Sequence, residues 1–123
     1  NNNPREKQTE YLEIVRNMKK AYVKRAAQAV NLNQALSESP HPVIVTGDFN
    51  DTPVSFAYKQ ISENLDDAFV KSGIRLGATY RQFMLPLRID YLLCDPEISV
   101  SGYKNHNLKL SDHRPIEANF FLK

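Results

Sequence analysis

The chain has 123 residues, of which 41% are hydrophobic and 24% charged, the composition of one ordinary globular domain. Sixteen basic against fourteen acidic side chains leave a formal charge of +2, too little to argue for a nucleic-acid partner on net charge. Cys94 is the single cysteine, so an internal disulfide is excluded, and no apolar run approaches the roughly 18 residues of a membrane-spanning helix. No signal-like segment opens the chain, and a first residue of Asn1 instead of Met leads to the expectation of a processed chain or of a piece of a longer one.

Asn1-Asn2-Asn3-Pro4 is a polar lead-in. From about residue 6 to about 38 the pattern is helical: Tyr11, Val15, Met18, Tyr22, Ala26, Ala29, Leu32 and Leu36 recur at three- and four-residue steps and form one apolar stripe. Arg16, Lys19, Lys20, Lys24 and Arg25 fall mostly off that stripe and read as a solvated basic face. Pro40 and Pro42 end the helix, with His41 between them as a loop residue. Pro42 to Thr46 reads as a short, fully buried strand, being continuous, β-branched and bounded by Pro and Gly.

Asp51-Thr52-Pro53 is a helix start, with Thr52 as N-cap and Pro53 at the first helical position. The helix runs through Phe56, Ala57, Tyr58 and Ile61; Leu65 to Val70 adds a further helical turn or two, and Gly73 and Gly77 mark turns. Three strands follow, at Arg88–Leu93, Ile98–Tyr103 and Ile116–Leu122. Cys94, at the end of the apolar run Tyr91-Leu92-Leu93, is expected to be buried and inert. Helix, strand, helix and then several strands make a mixed α/β layer without internal repeats.

Three stretches carry chemistry. In Gly47-Asp48-Phe49-Asn50-Asp51 the strand runs straight into polar groups, and Asp48 and Asn50 point one way while Phe49 turns back to the core. A carboxylate and a carboxamide at the carboxyl end of a strand suit a ligand site, though Asp and Asn also form ordinary capped turns. In Arg88-Ile89-Asp90-Tyr91-Leu92-Leu93, alternation puts Ile89, Tyr91 and Leu93 on one side and Arg88, Asp90 and Leu92 on the other. A mid-strand Asp is expensive if buried alone, so Asp90 either pairs with a base such as Arg88 or holds a histidine in one tautomer. In Leu110-Ser111-Asp112-His113-Arg114-Pro115-Ile116, Pro115 favours a loop in which Asp112 and His113 converge on one site, against the alternative of two surface polar residues.

Taken together, GDFND, RIDYLL and SDHRPI, in that order and with Thr79-Tyr80 ahead of the second, resemble the motifs of the endonuclease/exonuclease/phosphatase family, the deoxyribonuclease I-like fold. The family includes apurinic endonucleases, inositol polyphosphate 5-phosphatases and neutral sphingomyelinases. Arg25 and Gln28 resemble its R-x-x-Q helix pattern, and the resemblance covers nearly the whole chain. It implies divalent-metal-dependent hydrolysis of a phosphoester: Asp48 on the attacking water or in proton transfer, Asn50 on the phosphate, His113 on the phosphate or in acid/base work, Asp90 orienting His113, and Asp112 with Asp48 on the side of Mg²⁺ or Mn²⁺. Nucleic acid, phospholipid and small phosphodiesters are all substrates of such a scaffold.

The family domain is about twice as long, a four-layer α/β/β/α sandwich. Its first half carries the glutamate that binds the principal metal, and Glu6, Glu10 and Glu13 do not resemble that motif. Residues 1–123 are therefore expected to be the C-terminal half, a mixed, mainly antiparallel sheet with helices on one face and a bare apolar face on the other. That face should be covered by the missing N-terminal half or by a second copy, and the chain alone should be inactive or nearly so. A non-catalytic module that keeps the fold for binding or scaffolding is the alternative, and a nucleic-acid binder resting on the Lys/Arg face is the weakest. Arg75 to Leu87, with Arg81 and Gln82, is the candidate lip of the site.

Overall fold

The computed structural model describes residues 4–72, 79–82, 85–108 and 110–123. The long helix α1 spans Pro4–Ser37, and Glu38 N–H and Ser37 Oγ both donate to the Gln34 carbonyl as it unwinds ahead of Pro40. Among the described residues, only part of the second half of its apolar stripe reaches the core. Ala29 is buried and Leu36 packs against the core, whereas Tyr11, Val15, Met18 and Tyr22 are exposed.

Strand β1, Ile44–Asp48, pairs antiparallel with β5, Asp90–Cys94, and β5 pairs on its other edge with the two-residue β2, Asp66–Asp67. Strands β3, Tyr80–Gln82, and β4, Leu85–Leu87, form a hairpin; β6, Ile98–Asn105, and β7, Ile116–Leu122, form another, with a bulge between Val100 and Gly102. Helix α2 spans Phe56–Ile61 and α3 spans Ala68–Ser72. All the pairings among the described residues are antiparallel, so the architecture is a mixed α/β layer with antiparallel sheets, as expected from sequence.

The core lies between helices and one sheet face. Ala29 of α1, Ala57 and Ile61 of α2, and Tyr91 and Leu93 of β5 form a single buried cluster, with Val45 and Phe49 packed against it. Register explains which residues go in: Val45 opposes Leu93 and Gly47 opposes Tyr91, and that face meets the helices. The opposite face of β1 carries Ile44, Thr46 and Asp48, all exposed.

Several expectations need correction. The strand at Pro42–Thr46 is neither fully buried nor so early: it runs to Asp48 and, among the described residues, lies at a sheet edge covered on one face. The cap of α2 is Ser55, whose Oγ accepts the Tyr58 N–H at 3.1 Å. Thr52 instead opens a turn closed by Ser55 N–H to the Thr52 carbonyl, and proline's fixed φ serves that turn as well as it would a helix start. Leu65–Val70 is split between β2 and α3.

Arg88 does not share a side with Asp90. Its guanidinium stacks over the rings of Phe69, Tyr91 and Tyr58 at 4.6, 4.8 and 5.7 Å and binds Asp67 Oδ2 at 2.6 Å. Asp67 also accepts from the Tyr58 hydroxyl and the Phe69 N–H, so this buried charge pair is hydrogen-bonded on several sides, as buried pairs must be. Cys94 is buried, as expected, and burial pushes its thiol pKa up. Gly73 and Gly77 lie outside the described residues, as does part of the Arg75–Leu87 lip, whose described part is the β3–β4 hairpin.

Candidate active site

The site is built where β1 and β5 meet at the end of their pairing. Asp48 and Asp90 stand directly opposite each other in the ladder. Like charges so placed repel, and a sheet selected for stability alone would not put them there. Between them sits His113, from the loop ahead of β7. Its Nδ1 is 2.9 Å from Asp90 Oδ2, and its Nε2 is 3.8 Å from Asp48 Oδ2. The hydrogen bond to Asp90 holds the His113 pKa above its ordinary value; burial opposes it, and the charges of Asp90, Asp48 and Asp112 add to it.

Backbone and side-chain links hold this geometry. Thr79, fully buried, accepts the Ile89 and Asp90 N–H groups on Oγ1 at 3.0 and 3.1 Å and takes the Arg114 N–H on its carbonyl at 2.7 Å. It thereby ties the start of β5 to the His113 loop. The next residue, Tyr80, bridges His113 through the backbone, and the two rings meet at a tilt of 55° with centroids 4.8 Å apart. Thr79-Tyr80 stood out in the sequence as a pair; its bracing role did not.

On the β1 side, Asp48 Oδ1 accepts the Asn50 N–H at 2.7 Å, and Asn50 adopts φ 50°, the left-handed region that Asn tolerates better than most residues. Phe49 turns inward as expected, its N–H on the Ile89 carbonyl and its ring 4.8 Å from that of Tyr91. Asn50 is exposed beside Asp48. Arg25, read from sequence as part of a solvated face, instead binds Asp51 Oδ2 at 3.1 Å. That pairing joins residues 26 apart, which no local pattern could reveal.

Of the residues singled out by sequence, Asp48, Asn50, Asp90 and His113 are brought together. Asp112 is exposed and accepts from the Ser111 hydroxyl at 3.0 Å; it stands outside the convergent group. Ligand atoms of Asp48, Asp90 and His113 all lie within 4.8 Å of one another, a donor set able to take part in holding a metal ion. Two carboxylates and one imidazole suit a divalent cation of the Mg²⁺ or Mn²⁺ type, yet such ions take about six ligands, more than these residues offer.

A strand-end pair of acids, a histidine across them and a neighbouring Asn make up the candidate site. The profile of the Endonuclease/Exonuclease/phosphatase family matches residues 18–113, and the chain belongs to that family. Solved structures agree. An endonuclease/exonuclease/phosphatase from Bacteroides vulgatus is 28% identical, with TM-score 0.68 over 80% of this chain and 44% of that one. Two others share the fold at lower identity: a functionally unknown conserved protein from Enterococcus faecalis (17%, TM-score 0.71, 83% and 46% covered) and a mannosyl-6-phosphatase from Bacteroides thetaiotaomicron (23%, TM-score 0.64, 85% and 47% covered). The chain thus spans less than half the length of the structures it matches. No curated protein matches its sequence.

Proposed function

We propose that this chain supplies the greater part of a divalent-metal-dependent site for phosphoester hydrolysis, completed by a second half of the domain. The observation that carries this reading is the direct opposition of Asp48 and Asp90 with His113 across both. Such an arrangement costs stability, and catalysis accounts for it. Asp90 fixes the tautomer and orientation of His113, leaving Nε2 to face substrate. Asp48 takes a proton from the attacking water, and Asn50 donates to a phosphoryl oxygen, more strongly as charge develops there. Asp48 would stand on the metal side, with Asp112 farther out on the His113 loop, and the remaining ligands would come from water, the phosphate and a glutamate outside residues 1–123. A bound Mg²⁺ or Mn²⁺ supplies neutralisation of phosphoryl charge.

The exposed residues around the site fit the same reading. Ile44 on the open face of β1 and Tyr11, Val15, Met18 and Tyr22 on α1 are large apolar side chains left uncovered among the described residues. We assign their covering to the other half of the domain, because the similar solved chains are more than twice as long as the part matched here. "Complete protein" below means this chain together with that half.

The test is release of nitrophenolate by the complete protein from bis-p-nitrophenyl phosphate and from p-nitrophenyl phosphate, with Mg²⁺, with Mn²⁺ and with EDTA. We expect metal-dependent turnover of at least one ester, with Asn50→Ala lowering kcat about a hundredfold or more, the size of a lost transition-state hydrogen bond. Turnover indifferent to EDTA, or to Asn50→Ala, would overturn the assignment.

A further inference from the structure

Asn50 is the one described non-glycine residue with positive φ, and it lies on an exposed turn. An unusual backbone conformation persists only where its surroundings over-determine it. Two side chains flank it. Asp48 binds the Asn50 N–H from one side. On the other, Asp51 is tied twice to distant elements: its Oδ2 to Arg25 Nε of α1 at 3.1 Å, and its carbonyl 2.8 Å from the Tyr91 hydroxyl of β5. Tyr91 is buried, and its hydroxyl is equally close to the Arg88 carbonyl, so its single proton serves one of the two at a time. The Arg25 contact is the charged side-chain brace on this side of the turn. Arg25 and Asp51 side chains are 33% and 15% exposed, which places the pair at the rim, where water only partly screens it. The same guanidinium borders a cleft of about 290 Å³ together with Gln28, Asp48 and Asn50.

We infer that Arg25 is a positioning residue for Asn50: through Asp51 it holds the turn in the conformation that aims the Asn50 carboxamide into the site beside Asp48. The inference rests on the phosphoester-hydrolase reading for its kinetic consequence, while its structural content stands apart from that reading. A planar guanidinium gripping a carboxylate sets direction as well as distance, so Lys in its place retains the charge and loses part of the alignment.

The experiment is a double-mutant cycle in the complete protein. Arg25→Ala is expected to lower kcat by roughly ten- to hundredfold with little change in KM, the scale of a misplaced group near the chemistry. Asp51→Asn should do the same, and Arg25→Lys should recover much of the loss. In an Asn50→Ala background, Arg25→Ala should cost less than about twofold more, because the residue it serves is gone. An equal loss of kcat in both backgrounds would overturn the inference, as would a lowered Tm with unchanged kcat.

A second readout needs no turnover. The three-bond coupling between the Asn50 amide and α protons reports its φ, and it should shift in Arg25→Ala and return in Arg25→Lys. If that coupling is unmoved, Arg25 does not set the turn. If it moves while the protein hydrolyses neither nitrophenyl ester, the positioning stands and the proposed reaction fails.

Discussion

The imidazole of His113 touches one carboxylate and faces a second, and the sign of its titration follows. Its hydrogen bond to Asp90, supported by the charges of Asp90, Asp48 and Asp112, favours the protonated ring and raises the folded-state pKa above the ordinary value of about 6.5. A raised histidine pKa contributes stability that is full below that value and is lost as pH rises through the folded pKa. Because the side chain is 32% exposed, solvent screening keeps this contribution small. In metal-free protein, NMR titration of the ring should give a midpoint above about 6.5, and Asp90→Asn should bring it down. A midpoint unmoved by Asp90→Asn would mean that the pair does not form in solution. At this scale the sequence was informative about Asp48, Asn50, Asp90 and His113, because acids and amides at strand ends are costly unless something binds them. It marked Arg25 beside Gln28 and Thr79 beside Tyr80 by resemblance alone and gave no sign of what either one holds in place. The first looked like one more base on a basic face; the second acts through hydrogen bonds to backbone 10 and 11 residues away, which composition does not encode.

Among the elements, the one that departed furthest from its pattern is the start of α2. Thr52-Pro53 has the chemistry of a helix entrance, but so does Ser55, and the chain uses Thr52-Pro53 for a turn before capping with Ser55. Ser55→Ala should therefore cost about 1 kcal/mol in urea unfolding, whereas Thr52→Ala should cost at most a few tenths. The reverse order would restore the cap to Thr52. Strand β1 misled for a related reason. Its β-branched run signals a strand, but burial depends on what lies against each face, and its outer face has no partner among the described residues. The stretch read as helical is helical, but of the α1 stripe only Ala29 and Leu36 join the core among the described residues. Periodicity says which residues line up; tertiary context decides which of them are dry.

For the whole molecule, the exposed stripe on α1, the open edge and face of β1 and the incomplete donor set for a metal all point the same way. Each is a surface or a donor set left open among the described residues, and the solved structures have more than twice the chain length matched here, which is what the proposed second half would answer. On the proposed reading, the chain holds Asp48, Asn50, Asp90 and His113 in place and needs the rest of the domain for turnover. The most direct measurement is hydrolysis of bis-p-nitrophenyl phosphate with Mg²⁺ or Mn²⁺ by this chain and by the complete protein, run beside Asp48→Ala and His113→Ala in the latter. We expect turnover by the complete protein, its loss in both variants and essentially none from the chain alone. Turnover that survives both substitutions, or full turnover by the chain alone, would contradict a site divided between two halves.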